Sequence, residues 1–401
     1  MYDGAVMNVL VVNIGSTSFK FRLLEMPAER ALASGTIENV GKPRSDITTC
    51  VGDTVPVHTQ AHVADQAAAV ETCLRALAEP HAGTPLAIDA VGFKAVHGGG
   101  LPGAVRVTPE VIRVMEEFAE AAPAHNPHYV AAMRALARQM PDVAQVAAFE
   151  TGFHLTIPEA RTTYAIPHEW TQRWGVRRYG FHGASHRYVA TRVAALHRRD
   201  DLRLISCHLG GSSSICAIAG GRSVANSFGM TPQSGIPQNN RVGDFDAYAL
   251  YLLRARTGKS FETLLEMMAT GGGLLGISGR SNDMREILAA ADAGDARARL
   301  ALDTFVEGVR HYVGAYFVAL GGLDVLTFTG GIGQRCAEVR ELICAGLDCV
   351  GVRLDPERNA HPAGDVSVLS PDGTRVVVYT LATNEELIVA RQVVEVLSGG
   401  A

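Results

Sequence analysis

Two short stretches of this chain set glycine, serine and threonine between strand-forming runs, and both have the composition of an anion cradle. The first is Asn13-Ile14-Gly15-Ser16-Thr17-Ser18, with Lys20 two residues further on. The second is His208-Leu209-Gly210-Gly211-Ser212-Ser213-Ser214. A turn of small residues aims several backbone N–H groups at one point and lets a phosphate come close to the main chain. Lys20 would add a point charge. One such turn alone reads as an ordinary hairpin. Two of them, about 195 residues apart and alike in their order of polar, aliphatic, glycine and hydroxyl positions, read as a weak internal repeat and so as two related lobes.

Histidines fall at His97 before three glycines, at His125 in His125-Asn126-Pro127, at His154, and at His182 in Tyr179-Gly180-Phe181-His182-Gly183. A lone histidine is usually a structural residue. His182 differs because Gly180 and Gly183 flank it, which leaves room for a ligand beside the backbone. Arg241, Asp244 and Asp246 share the loop Asn239–Asp246, which reads equally as a charged site or as a solvated turn. Gly271, Gly273 and Gly276 match the dinucleotide pattern G-x-G-x-x-G, but the preceding Phe261–Ala269 reads as helix rather than strand, so that context fails. A flexible loop, packing or facing a nucleotide, is expected there. No Walker A stretch exists, and His168-Glu169 is followed by Gln172, so no zincin pattern forms.

The elements that must hold these residues alternate in type. Strands are predicted at Val9–Val12, Phe19–Leu24, Leu202–Cys207, Ile215–Ile218, Val325–Phe328 and Val376–Thr380. Thr108 is placed as an N-cap, with Pro109 first in the helix, Glu110 in its first turn and Val111, Val114, Met115 and Phe118 on one face. Phe305, Val309, Val313, Phe317 and Leu320 mark a buried helix, and Thr383-Asn384-Glu385-Glu386 opens a last one through about Leu397. The class is α/β.

At 401 residues the chain exceeds what one core serves comfortably, so two domains are expected. A net charge of −5 without a long basic run gives no support to a nucleic-acid or membrane-surface partner. Seven cysteines without a C-x-x-C pair suit reduced, mostly buried thiols. Met1–Asn8 is too short and polar for a signal peptide, and no apolar run of about 18 residues occurs, so a cytoplasmic protein is expected.

Taken in order, several stretches resemble the acetate and propionate kinase family of the sugar kinase, Hsp70 and actin superfamily. They are Asn13–Lys20, Val96-His97-Gly98-Gly99, His125-Asn126-Pro127, Arg178–His186, Leu274–Gly279, Phe328–Gly333 and Thr383–Leu387. The resemblance runs nearly end to end. It implies a two-lobed, actin-like (ribonuclease H-like) ATPase fold, a duplicated βββαβα core with the active site in the cleft, and a homodimer. Residues 1–155 plus the last helix, about 385–401, would form one lobe and 156–384 the other. The implied activity is ATP-dependent phosphorylation of a small carboxylic acid, reversibly, to an acyl phosphate. Mg²⁺, with Mn²⁺ as a substitute, would be held by Asn13 and Glu385. Ser16, Ser18 and Lys20 would line the phosphate path, and His208, Leu209, Gly210, Gly211 and Ser212 would face the ATP phosphates. Asp283, Met284 and Arg285 with Gly331, Ile332, Gly333, Gln334 and Arg335 would form the adenosine pocket. Glu150, His182 and Arg241 would be catalytic. Lys94 and His125 would meet the acid, whose tail would lie among Val96, Ala124, Phe181 and Pro232. A carboxylate is already ionised near neutrality, so the demand is for positive charge that lets two anions meet, not for a strong base.

The chain also departs from the family pattern. Lys94 stands for an arginine, Glu150 for an aspartate, Gly211 for an asparagine, Asn239-Asn240 for Gly-Thr and Ala124 for a leucine. A lysine loses the bidentate fork of arginine. From Ala124 and Lys94 a roomier acid pocket is expected, favouring propionate, butyrate or a branched or hydroxylated short acid over acetate. Asp283, Arg285, Gly331 and Ile332 favour ATP over pyrophosphate as donor. A binding or regulatory module that kept the fold and lost the chemistry is the alternative, against which stand Asn13, His182, Arg241 and Glu385. A kinase acting on a hydroxyl is a third reading, opposed by the His-Asn-Pro and Phe-His-Gly stretches.

Overall fold

The computed structural model describes residues 6–52, 54–78 and 86–399, so the first five residues of the expected non-signal N-terminus and the last two of the expected terminal helix lie outside the described residues. The chain divides into two compact units, Met1–Leu155 with Asn384–Ala401, and Thr156–Thr383.

The first unit holds an eight-stranded sheet built from β1 (Met7–Ile14), β2 (Ser18–Met26), β3 (Arg30–Glu38), β4 (Ser45–Val51), β5 (Val57–Ala61), β6 (Ala90–Ala95), β7 (Ala104–Arg106) and β8 (Ala144–Phe149), in the order β5-β4-β3-β2-β1-β6-β8-β7. β1 to β5 form an antiparallel meander, while β1, β6 and β8 run parallel. Val9–Val12 is a continuous apolar run because β1 is central and covered on both faces, as parallel strands are. Leu10, Val12 and Ile14 pack with the helices Gln66–Ala78 and Asn126–Gln139. Gly92 on β6 is covered instead by the final helix Glu385–Leu397: a Cβ there would lie 2.7 Å from Val393 and 2.8 Å from Val389. At the N-terminus of this helix Asn384 caps by accepting from the Leu387 N–H.

The second unit holds six strands, β9 (Arg203–His208), β10 (Ser214–Ala219), β11 (Arg222–Asn226), β12 (Val325–Thr329), β13 (Val366–Val368) and β14 (Val377–Leu381), ordered β11-β10-β9-β12-β14-β13. β9, β10 and β11 are antiparallel, and β9, β12 and β14 parallel. Five strands of each sheet therefore repeat one pattern: β3-β2-β1-β6-β8 and β11-β10-β9-β12-β14. The weak repeat seen between the two Gly/Ser turns is the trace of this duplication. The long helix Ala296–Leu320, capped by Asp295, buries Phe305, Val309 and Val313 against Ile205, Cys207 and Phe328, and begins a full two turns before the apolar marks that announce it.

One expectation needs correction. The glycines after Thr270 do not form a flexible loop; Gly273–Ser278 is a short helix. Gly273 has φ +58°, and its missing Cβ would lie 2.0 Å from the Gln238 carbonyl oxygen and 2.7 Å from that of Arg241. These glycines pack a neighbouring loop. Of the two readings left open for the loop Asn239–Asp246, a solvated turn does not hold for Asp244, which accepts from the Gly235 N–H at 2.9 Å and the Tyr312 hydroxyl at 2.5 Å. No helix among the described residues is long and apolar enough to cross a membrane. All seven cysteines are free, and five are buried.

Candidate active site

In the second unit the parallel strands β9 and β12 end at His208 and Thr329, and a glycine-rich turn follows each. The turns are locked together: the Leu209 N–H donates to the Thr329 carbonyl at 2.8 Å, and the Ile332 and Gly333 N–H groups donate to the Leu209 carbonyl at 2.9 and 3.1 Å. A cavity of about 390 Å³ opens beyond these strand ends, lined by Gly210, Gly211, Asn239, Asn282, Asp283, Met284, Arg285, Gly331, Ile332, Arg335 and Cys336. The carboxyl ends of parallel strands are where ligands bind in open α/β sheets. Asp283 caps the helix Met284–Asp292, accepting from the Arg285 N–H and side chain, and the Arg285 guanidinium holds its carboxyl down at about 2.

Most of the expected adenosine residues thus share one cavity. Gly333 and Gln334 do not line it: Gly333 is buried, and both carbonyls accept from the buried Arg340 guanidinium, at 3.0 and 2.8 Å. Leu209 is fully buried and acts through its backbone. His208 Nδ1 is 2.8 Å from Ser185 Oγ. Ser212 donates to Gln238 Oε1 at 2.9 Å and accepts from Arg241 Nη1 at 3.1 Å. Arg241 Nη1 also donates to the Pro232 carbonyl and to Gln238 Oε1, both at 3.3 Å. These acceptors are neutral, and burial lowers the Arg241 pKa from its usual value.

His182 adopts φ 59°, ψ 32° at the start of the helix Gly183–His197, a left-handed conformation uncommon outside glycine. Its ring centroid lies 4.3 Å from that of His208 and 5.2 Å from Phe228, which also packs edge-on against the buried Phe181 at 5.9 Å.

In the first unit the turn between β1 and β2 sets Asn13 opposite Lys20 in the strand register. The Gly15 N–H donates to the Ser18 carbonyl at 2.9 Å, Ser16 is exposed, and Lys20 is half exposed, 3.9 Å from Glu38. Tyr129, absent from the sequence-based set, is buried with its hydroxyl accepting from the Ile14 N–H at 2.9 Å and lying 3.4 Å from Asn13 Oδ1. Lys94 on β6 contacts two carboxylates: its Nζ is 3.4 Å from Glu150 Oε1 and is in direct contact with Glu385 Oε2. Burial disfavours its charge, but Glu150 and Glu385 outweigh burial and hold the Lys94 pKa well above its usual value. Val96 and His125 are half buried and Ala124 is exposed. His97 is structural, its Nδ1 accepting from the Gly99 N–H at 3.0 Å and its ring stacked 4.6 Å from Phe118.

Asn13, Glu150 and Glu385 offer hard oxygen donors of the kind Mg²⁺ takes, one or two from protein with water and phosphate completing the shell. Among the described residues no three histidine, cysteine, aspartate or glutamate side chains cluster as a metal cage.

The site residues that sequence reasoning missed are Asn282 and Cys336 in the cavity, Tyr129, Gln238, and the serines and histidine behind His182. Ser185 and His186 stood inside a stretch already singled out, and Ser214 ended the second turn. Tyr129 carried no signal of its own.

A five-strand motif repeated in both units, with glycine turns opening on a cavity at the strand ends, defines an actin-like ATPase fold built for phosphoryl transfer. The acetokinase family model matches residues 8–391. The chain is 40% identical over 397 residues to the acetate kinase of Dictyoglomus turgidum, covering 98% of both chains. Its fold superposes on the Porphyromonas gingivalis acetate kinase with a TM-score of 0.89 at 37% identity, covering 98% of this chain and 100% of the other. A propionate kinase from Francisella tularensis gives the same TM-score at 31% identity, with coverage of 96% and 98%. The chain belongs to the acetokinase family, and is a phosphotransferase with a carboxyl group as acceptor.

Proposed function

We propose that this enzyme transfers the γ-phosphoryl group of ATP to a short-chain carboxylic acid, reversibly, giving ADP and an acyl phosphate. The observation that carries the donor is the cavity beyond β9 and β12, where the turn Gly210-Gly211 and the turn around Gly331 meet Asp283 and Arg285. Small residues at both turns leave backbone N–H groups free to approach phosphates. Asp283 and Arg285 would take the nucleoside end.

His182 and Arg241 would stabilise the transferring phosphoryl group, as positioned N–H donors and cations do in such reactions. Arg241 suits that role because its guanidinium is held by neutral acceptors, so its charge is not already spent on a carboxylate. Asn13 and Glu385, with Glu150 nearby through Lys94, would hold Mg²⁺, which would lower the charge of the phosphates when bound. Lys94 would keep two carboxylates ionised and ordered while presenting its ammonium toward an acid. The family resemblance assigns His125, Val96 and Ala124, and Phe181 and Pro232, to that acid.

The relatives named acetate kinase favour acetate as acceptor, whereas Ala124 and Lys94 favour a somewhat longer acid. A panel from formate to valerate with ATP and Mg²⁺, trapped with hydroxylamine, decides both points. Only an acyl phosphate gives the hydroxamate. A hydroxamate from at least one short acid is expected, and none from any of them would reject the reading. The rank of kcat/KM along the series then fixes the acid, and pyrophosphate in place of ATP tests the donor.

We also propose a cytoplasmic homodimer, supported by the free thiols and by an apolar patch on the second unit. The helix Ala249–Thr257 buries none of its residues, and Tyr248, Tyr251 and Leu252 are 80%, 64% and 60% exposed, with Leu265 and Met267 half exposed beside them. Contiguous apolar surface of this kind marks an interaction site.

A further inference from the structure

Behind His182 lies a line of hydrogen bonds that the phosphoryl-transfer reading leaves unused. His182 Nδ1 is 2.8 Å from Ser214 Oγ, Ser214 Oγ is 2.9 Å from His186 Nε2, and His186 Nδ1 is 2.9 Å from Ser206 Oγ. Ser206, Ser214 and His186 are fully buried. A neutral imidazole offers one donor and one acceptor, and a hydroxyl one donor. Each link therefore dictates the next.

The far end sets the direction. Among the described residues the Ser206 hydroxyl has His186 Nδ1 as its one hydrogen-bond partner. If Ser206 donates to it, His186 carries its proton on Nε2 and donates to Ser214. Ser214 then donates to His182 Nδ1, which leaves the His182 proton on Nε2. Running the line backwards, or charging His186, strands a buried hydroxyl with no acceptor, the costlier arrangement. The His182 ring cannot turn freely to escape this, because His208 and Phe228 pack against it.

We propose that Ser206 and Ser214 are positioning residues that fix His182 as its Nε2–H tautomer, so that a neutral imidazole presents a donor to the transferring phosphoryl group. The inference rests on the role of His182 proposed above. It adds that this donor is set by a buried serine three hydrogen bonds away, on β9, rather than by anything that touches substrate. A donor oriented before the reaction needs no reorganisation during it.

The test is two-bond ¹H–¹⁵N correlation on ¹⁵N-histidine-labelled protein at alkaline pH, where imidazoles are neutral, with the His182 signal assigned by its loss in His182→Gln. His182 protonated on Nε2 is expected in the wild-type chain. Ser206→Ala should give a mixture of tautomers and lower kcat roughly tenfold with both KM values unchanged, less than the ~100-fold cost of deleting a transition-state donor outright. Ser206→Thr, which keeps the hydroxyl, should behave as wild type. A wild-type His182 protonated on Nδ1 overturns the proposal, as does an unchanged tautomer in Ser206→Ala. The wild-type spectrum decides even if a variant fails to fold. An inactive wild-type protein would reject the catalytic reading, while the tautomer would still decide the relay.

Discussion

Lys94 and Glu150, the two charged departures from the family pattern, touch each other: Nζ lies 3.4 Å from Oε1. A cation shorter than arginine meets a carboxylate one methylene longer than aspartate, so the two changes offset in length. Both side chains are at most 15% exposed, and Lys94 reaches Glu385 as well.

Exchanging both partners should therefore be milder than exchanging one. Lys94→Arg alone crowds Glu150, and Glu150→Asp alone opens a gap in a buried pair. The double variant Lys94→Arg/Glu150→Asp should recover kcat/KM by tenfold or more over the worse single variant, a coupling of about 1–3 kcal/mol in a double-mutant cycle. Additive losses would show that the pair is not a unit. Lys94→Met, which leaves two carboxylates without their cation, should cost about 3–5 kcal/mol of stability. Because the Lys94 pKa is raised on folding, its stabilisation is whole below the unfolded lysine value and is lost only as pH climbs through the higher folded value. Between neutrality and pH ~9 the Tm difference between wild type and Lys94→Met should stay constant, as thermal unfolding at several pH values would show.

A second pair of departures meets in the lining of the cavity beyond β9 and β12. Gly211 stands where an asparagine is usual and Asn239 where a glycine is usual, and a Cβ on Gly211 would lie 3.6 Å from Asn239 Nδ2. The Asn239 N–H donates to the Gly211 carbonyl at 3.4 Å, and its buried Oδ1 has no hydrogen-bond partner among the described residues. The position that lacks the usual asparagine side chain thus has an amide beside it in the lining of the same cavity. Asn239→Gly should raise KM for ATP several-fold with the acid KM unchanged, and Gly211→Asn/Asn239→Gly should restore it. Initial-rate kinetics with each substrate varied in turn would check this; a double variant no better than Asn239→Gly would mean the amide is not shared.

These pairs show what the sequence could and could not carry. The strand–turn–strand runs, the capped helix at Thr108 and the helix opened by Asn384 were legible because each rests on local period and capping. The duplicated sheet showed only as an echo between two turns, since strand order depends on pairings far apart in the chain. The departures at 94, 150, 211 and 239 read as four separate doubts. Contact groups them into two pairs, and contact between positions 28 and 56 residues apart leaves no periodic mark. The Gly271–Gly276 run was legible in its packing role and not in its helix: glycine signals room for something, and here it is the 238–241 backbone.

That packing gives a contrast between glycines. Gly273→Ala would force a left-handed alanine into the Gln238 and Arg241 carbonyls, so a loss of about 2 kcal/mol or more and displacement of Arg241 are expected. A methyl group on Gly331 would meet nothing within 4 Å, so Gly331→Ala should fold as wild type and act on the nucleotide alone. Denaturant unfolding with ATP kinetics separates the two: Gly273→Ala should lose both stability and kcat, Gly331→Ala only ATP affinity. Equal stability in the two variants would contradict this packing.

The exposed aromatic helix carries the last expectation. Tyr251 packs edge-on to Phe261 at 5.5 Å, so the helices Ala249–Thr257 and Phe261–Thr270 present Tyr248, Tyr251, Leu252, Leu265 and Met267 on a supported surface. A stable dimer needs about 800 Å² from each partner, which a patch of this many large side chains can begin to supply. Light scattering on the purified chain should give twice the mass of 42.6 kDa. Tyr248→Asp/Leu252→Asp, which adds charge to a surface already in water, should leave the fold unchanged by circular dichroism and shift the mass to a monomer. A dimer that survives both charges would place its interface elsewhere.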